Sequence, residues 1–408
     1  MAEQPLSAPE TRVASGAAPS PGSDREQSIL FVIGSLDIGG AERHLASITP
    51  RLKQRGWQPT IYCLTAPGGQ AAEVQRAGVE VIGPPLTAAR GPLFKALAIT
   101  LSCLKLFGVL IWRRPRIAHF FLPASYIIGA PLALLARVPI RLMSRRSLNV
   151  YQDHHPYLRH LEPHLHRHMS ALLGNSKAVV SQLIEEGGDP RRTALIYNGI
   201  EILKDTQGRR DSSDDGRPLT LIIAANLIPY KAHADLFRAL ANVAVGMPPS
   251  WQLLCVGRDT GYGKTLAALA RDLHLDTHIQ FLGERRDVAS LLSTAHIGIL
   301  CSHEEGFSNA ILEGMAAGLP MVVTDVGGNA EAVSDGATGL VVPASNATAL
   351  GEAILRLALD APLRRTMSGA ARERIETVFP LSRCVERYDA LYRGLLQNRS
   401  PGDVLGDD

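Results

Sequence analysis

Short apolar runs of strand length alternate along the chain with longer stretches whose apolar positions fall at helical spacing. In a parallel sheet both faces of a strand are covered by helices, so such strands read as unbroken apolar runs. The pattern therefore predicts an α/β chain of parallel sheets with helices on both faces. Strands are expected at 29–34, 60–64, 79–82, 117–122, 140–143, 171–175 and 194–197, and again at 219–225, 252–257, 279–282, 297–301, 321–324 and 339–342. Between the two sets, residues 204–218 (KDTQGRRDSSDDGRP) are polar and charged and lack large apolar side chains, which marks a linker. Two doubly wound domains follow, at 28–203 and 219–380. Ligands in such sheets lie beyond the carboxyl ends of the strands, so a cleft between the domains is the expected site.

Length and composition agree with this division. The 408 residues suffice for two cores, and 46% hydrophobic with 20% charged residues describes an ordinary globular protein. Residues 1–27, rich in Ala, Pro, Ser and Gly, lack the apolar centre of a secretory signal and read as a disordered leader; 398–408 reads as a disordered tail. The five cysteines show no metal-ligand or redox spacing, which suits reduced thiols in the cytoplasm.

Net charge is only +3, but roughly twelve Lys or Arg fall between residues 86 and 167 against Asp153 and Glu162 alone. Within this basic region, 93–112 (LFKALAITLSCLKLFGVLIW) is about as long as a membrane span. Lys95 and Lys105 interrupt it, arginines follow, and a strand resumes at once. Two readings stand: an amphipathic helix lying on an anionic bilayer surface, or a helix buried against its own sheet. Nucleic-acid binding is not expected, because the basic residues are not interleaved with stacking aromatics.

Candidate chemistry concentrates in EGFSNAILEGMAAGLP at 305–320. Gly306 is expected to take backbone angles closed to other residues, Ser308 or Asn309 to cap a helix, and Ile311, Leu312 and Met315 to give that helix an apolar face. A helix start offers unpaired N–H groups that suit a diphosphate, while an ionised carboxylate only accepts hydrogen bonds and suits sugar hydroxyls. Glu305 and Glu313 are thus expected to grip different parts of one ligand. Gly39 and Gly40 follow the first strand and permit close approach of backbone to a phosphate or sugar. Lys231 follows the first strand of the second domain and would face the same crevice as a compact positive charge.

Taken in order, GGAER at 39–43, GNSKAV at 174–179, IYNGIE at 196–201, NLIPYK at 226–231, FLGERRDV at 281–288 and EGFSNAILEGMAAGLP at 305–320 resemble glycosyltransferase family 4, over residues 28 to 395. The resemblance implies the GT-B fold: two doubly wound Rossmann-like domains with parallel sheets facing a central cleft. It implies an acceptor-binding N-terminal domain, a donor-binding C-terminal one and a last helix, 381–397, crossing back. The implied activity is retaining transfer of a hexose or related sugar from a UDP- or GDP-linked donor to a glycan or lipid-linked acceptor in cell-envelope or polysaccharide synthesis. Glu305 would bind donor-sugar hydroxyls and Glu313 the ribose. Backbone around Gly306, Phe307, Ser308 and Asn309, with Lys231, would hold the diphosphate, and Gly39 and Gly40 would close over it. Glu305 and Lys231 are the catalytic candidates; no metal, no cofactor beyond the donor and no protein nucleophile are implied.

Two positions depart from the family pattern. An Arg commonly stands five residues before the lysine; here it is Asn226, and Arg258 after the next strand is the candidate substitute. In IAHFFLP, His119 matches the first histidine of a His-x-His pair, but the second position is Phe121. His119 is therefore either an acceptor-side residue or a core histidine. Arg145 and Arg146 are candidates for an anionic acceptor such as a lipid-linked pyrophosphate or acidic sugar. His160, His164 and His168 have helical spacing that can build a zinc site. A basic surface is the preferred reading there, because Pro163 is expected to interrupt the helix. Two other function classes fit part of the pattern: a nucleotide-sugar epimerase of the same fold, and a non-catalytic nucleotide-sugar binder. The expected location is the cytoplasm, including the cytosolic face of the membrane.

Overall fold

The computed structural model describes residues 27–37, 39–87, 91–202 and 217–406, so nearly all of the expected leader and linker lies outside the described residues. Seven parallel strands build the first sheet: β1 Ser28–Ser35, β2 Gln58–Ala66, β3 Glu80–Ile82, β4 Ile117–Phe121, β5 Ile140–Arg145, β6 Ala171–Gly174 and β7 Thr193–Leu195, in the order β3-β2-β1-β4-β5-β6-β7. Six build the second: β8 Leu219–Ala224, β9 Trp251–Val256, β10 Ile279–Gly283, β11 Ile297–Leu300, β12 Met321–Thr324 and β13 Gly339–Val342, in the order β10-β9-β8-β11-β12-β13. Every strand expected from the apolar runs is present. The central ones, β4, β6, β11 and β12, are buried at each residue, as continuous apolar segments between two helix layers must be. The order in which strands are added switches sides between β1 and β4 and between β8 and β11, all strands staying parallel, and a crevice opens at the carboxyl ends there.

The last long helix, Leu381–Leu396, leaves the second domain and packs on the first. Its buried residues Leu381, Cys384, Val385, Tyr388, Leu391, Tyr392 and Leu395 repeat at helical spacing and join the core of Ile29, Phe31 and Trp57. Trp57 Nε1 donates to Asp389 at 2.7 Å, which fixes the helix on the sheet from its polar edge. The expected disordered tail instead contains a helix, Pro401–Leu405. Ser400 and Asp403 form its capping box, and Val404 rests on Gly394, where a Cβ would lie 2.3 Å away.

The apolar helix Pro92–Arg113 is long and apolar enough to cross a membrane by length and composition, yet one face of it belongs to the domain. Ala98, Ser102, Leu106 and Leu110 are buried, and the Tyr62 hydroxyl on β2 donates to the Ser102 carbonyl at 2.8 Å. Leu93, Phe94, Leu97, Leu104 and Trp112 face outward.

Candidate functional site

A cavity of about 470 Å³ lies between the domains at the carboxyl ends of both sheets. From the second domain come Asn226, Lys231, Arg258, Glu305 and Glu313, with the Gly306–Asn309 backbone; from the first come Gly39, Gly40 and Arg146. Every donor-side residue expected from the sequence is thus in one cavity, while His119 and Arg145 are not in its wall.

On the second-domain wall the two catalytic candidates touch. Lys231 Nζ donates to Glu305 Oε1 at 2.5 Å, and Ser302 Oγ donates to the same oxygen at 2.8 Å. Both side chains are largely buried, so the pair is a charge-assisted contact held out of bulk water. Lys231 ends a tight turn, Pro229–Lys231, and the next residue, Ala232, has φ of +55°. That left-handed conformation is costly for alanine. The Cys301 thiol supports the turn by donating to the carbonyls of Lys231 at 3.5 Å and Ala232 at 3.4 Å.

The helix Asn309–Ala316 starts at Ser308, whose backbone is extended as an N-cap but whose side chain makes no capping bond. The first-turn N–H groups take nothing from it and are left for an anion in the cavity. Gly306 does not adopt the left-handed backbone expected of it. Its missing side chain serves proximity instead: a Cβ there would stand 2.3 Å from the Arg146 carbonyl oxygen of the other domain. Asn226 Oδ1 accepts the Arg258 N–H at 3.0 Å, so Asn226 ties the loop after β9 to β8 and the exposed Arg258 side chain is the free cation of that corner among the described residues.

The first-domain wall holds residues that carried no assigned role in the sequence. Gly39 caps the helix Gly40–Gln54, and the Glu42 carboxylate folds against it, so that a Cβ on Gly39 would lie 2.2 Å from Oε2. Burial raises the Glu42 pKa. This helix start therefore already faces a carboxylate. Arg43 pairs with Glu313 across the cleft at 3.2 Å, and Asn309 Nδ2 donates to the Gly40 carbonyl at 3.0 Å. Asn198 bridges as well: its Nδ2 donates to the Phe307 carbonyl at 3.1 Å and to Asn309 Oδ1 at 2.6 Å, and its Oδ1 accepts from Arg146. Arg43 and Asn198 stood in GGAER and IYNGIE; nothing short of knowing which strand ends meet could assign their partners.

Two acceptor-side expectations are corrected. His119 is wholly buried in β4, with Nδ1 2.8 Å from the Tyr392 hydroxyl and Nε2 2.8 Å from Ser144 Oγ. Burial holds its pKa well below the usual value, which makes it a neutral core histidine. Arg145 is buried too, donating to Glu162 and, at 2.6 Å, to Glu186. Its charge is spent inside the domain and is not offered to an acceptor. Arg146 does face the cavity, with its guanidinium 5.8 Å from the Phe121 ring centroid, so Phe121 gives it an aromatic seat.

His160, His164 and His168 are exposed, and Pro163 lies inside the helix Leu158–His166 without ending it. The grouping with metal-ligand proximity among the described residues is Glu162, His166 and Glu186, and both of its carboxylates already pair with the Arg145 guanidinium.

Two family models match the chain: "Glycosyltransferase Family 4" over residues 38–202 and "Glycosyl transferases group 1" over residues 205–374. D-inositol 3-phosphate glycosyltransferase of Corynebacterium diphtheriae is 26% identical over 88% of this chain and 90% of that protein. N-acetyl-alpha-D-glucosaminyl L-malate synthase of Bacillus anthracis is 30% identical over 45% of this chain, which spans about half, 48%, of that protein. A GDP-mannose-dependent monoacylated alpha-(1-6)-phosphatidylinositol monomannoside mannosyltransferase of Corynebacterium glutamicum is 36% identical over 37% of this chain and 41% of that protein. Among solved structures, Anabaena HepE in complex with UDP and glucose superposes with a TM-score of 0.76 at 22% identity, covering 89% of this chain and 98% of that one. Sucrose-phosphate synthase from Thermosynechococcus elongatus gives 0.75 at 19% identity, covering 91% of this chain and 100% of that one.

Proposed function

The chain belongs to glycosyltransferase family 4 and has the GT-B fold, and from that premise we propose that it transfers a hexose, with retention, from a UDP- or GDP-linked donor to a glycan or lipid-linked acceptor. One observation carries this reading: Lys231, Glu305, Glu313 and an uncapped helix start converge on one interdomain cavity. UDP occupies the HepE neighbour and GDP-mannose serves the C. glutamicum relative, so both donor nucleotides belong in the test.

The chemistry follows from charge. As the bond between the anomeric carbon and the phosphate oxygen breaks, negative charge grows on the departing diphosphate, and an ammonium and helix N–H groups fixed beside it lower the barrier where that charge develops. The acceptor oxygen forms its new bond on the same face, and its proton passes to the departing phosphate oxygen. Lys231 and the helix start supply the positive field, so the reading needs neither metal nor protein nucleophile. Retention of activity in EDTA tests the first point.

The acceptor side is basic. Arg146 presents an oriented guanidinium suited to an anionic acceptor. The outward face of the helix Pro92–Arg113 presents Leu93, Phe94, Leu97, Leu104 and Trp112 with the exposed Lys95 at one end, while Lys105 donates to the Gly83 carbonyl and Arg113 pairs with Glu80; the apolar face, with basic residues at its margins, suits a bilayer surface. Because the opposite face is packed on the sheet, the helix would lie on the membrane rather than cross it. This reading puts the enzyme in the cytoplasm, at the cytosolic membrane face.

The deciding experiment offers labelled UDP- and GDP-sugars with membrane extract and follows label into glycolipid or glycan. Absence of both transfer and donor hydrolysis, with Glu305→Ala binding the donor as well as the parent chain, would refute the proposal. Co-sedimentation with anionic vesicles tests the membrane part, and binding should weaken with salt.

A further inference from the structure

Glu331, in the one-turn helix Asn329–Ala332 after β12, sends its carboxylate across the domain boundary. Oε2 accepts the Lys177 N–H at 2.8 Å and the Tyr197 hydroxyl at 2.8 Å, and Oε1 accepts the Ala178 N–H at 3.3 Å. All three donors belong to the first domain. Lys177 and Ala178 open the helix Lys177–Glu185, so the carboxylate sits at the positive end of a helix and completes the cap begun by Ser176 Oγ, which accepts from Val179 N. On its own side this short helix is clamped: Arg374 donates to the carbonyls of Glu331 at 2.8 Å and Ala332 at 2.9 Å.

The turn that leads into this helix, Gly327 and its N-cap Gly328, seats the donor motif. Gly328 N–H donates to the Gly306 carbonyl at 2.8 Å, and a Cβ on Gly327 would lie 1.9 Å from the Glu305 carbonyl oxygen. Beside it Tyr197, Phe307 and Phe379 pack with ring centroids 5.0 to 5.4 Å apart, joining the domain crossing to the motif. Glu331 does not line the cavity. We propose that Glu331 is a positioning residue that couples docking of the first domain to the placement of Glu305 and the helix start at Asn309. The inference deepens the transferase reading, on which its kinetic test rests.

The test uses Glu331→Gln and Tyr197→Phe in the full chain. The amide keeps the shape but loses the charge and replaces one acceptor by a donor. UDP affinity by calorimetry should stay within about threefold while kcat falls by about tenfold or more with donor KM little changed, the signature of an arrangement needed after binding. Small-angle scattering with UDP should show a more open particle than the parent chain, and Tyr197→Phe should move both readouts the same way by less. Parental kcat and particle size in Glu331→Gln would overturn the proposal. So would parallel loss of UDP binding and of folding cooperativity, which would make the residue a fold element only. The scattering arm needs no turnover, so its outcome stands even if the transfer assay fails.

Discussion

Arg43 of the first domain reaches Glu313 of the second at 3.2 Å, so the carboxylate expected to hold a ribose is already engaged across the cleft. Burial raises the Glu313 pKa, and the Arg43 guanidinium works against that rise. Removing the guanidinium would leave burial unopposed and shift the carboxyl further toward its protonated form. A protonated carboxyl accepts hydroxyl hydrogen bonds less well. Arg43→Gln is therefore expected to weaken UDP binding by roughly tenfold, about 1.4 kcal/mol, with the defect growing as pH falls from 7 toward 5. Calorimetric titrations across that range check it; a pH-independent defect would show that the pair acts only as a tether.

Gly306 faces the Arg146 carbonyl so closely that a methyl group would stand 2.3 Å from it. Gly306→Ala should fold normally, since the contact is between domains, but should hold the cleft apart. Transfer activity is expected to fall by about a hundredfold with thermal stability changed by no more than ~1 kcal/mol. A variant with parental turnover would mean that catalysis does not require this approach.

The fold was legible because buried parallel strands announce themselves as apolar runs, and every expected strand is present. That Glu305, Lys231 and Glu313 would share one cavity was legible because they sit in short motifs just past strand ends. What stayed hidden depends on pairing between distant segments. Arg145 and Arg146 are neighbours in sequence, yet alternation along β5 sends one into an internal ion pair and leaves the other at the strand end facing the cavity. Whether His119 was an acceptor-side residue or a core histidine stayed open until the last helix supplied Tyr392 as its partner. Gly306 carried a glycine signal of the right strength and the wrong cause, because sequence cannot distinguish a positive φ from a neighbour's close approach.

Glu186 should give the protein an acid-sensitive component of stability. Burial alone would raise its pKa, but His166, the Arg145 guanidinium and Asn149 outweigh that and hold it at about 2. With the folded value depressed, the stabilisation is present above the ordinary glutamate range and is lost as pH falls from about 4.5 to 2. Its size is on the order of 3 kcal/mol. Glu186→Gln should be less stable than the parent at pH 7 and approach it near pH 2 in urea unfolding; a difference constant with pH would contradict the assignment.

His233 predicts a second, separate acid limb. It opens the helix His233–Val243, wholly buried, and neither ring nitrogen has a hydrogen-bond partner among the described residues. Burial, and then the charge of Lys231, lower its pKa to about 4. Protonation is thus opposed in the folded state, and stability present above about pH 6.5 is lost as pH falls toward 4, by roughly 3 kcal/mol in all. His233→Leu has similar bulk and leaves no orphaned nitrogen, so it should match or exceed the parent's stability at pH 7.5 and flatten the decline between pH 6.5 and 4. Unfolding curves at half-unit pH steps read this directly. Because the Glu186 limb lies lower, the two variants should alter different parts of the same profile, and a His233→Leu chain that keeps the parent's upper limb would rule out the buried imidazole as its source.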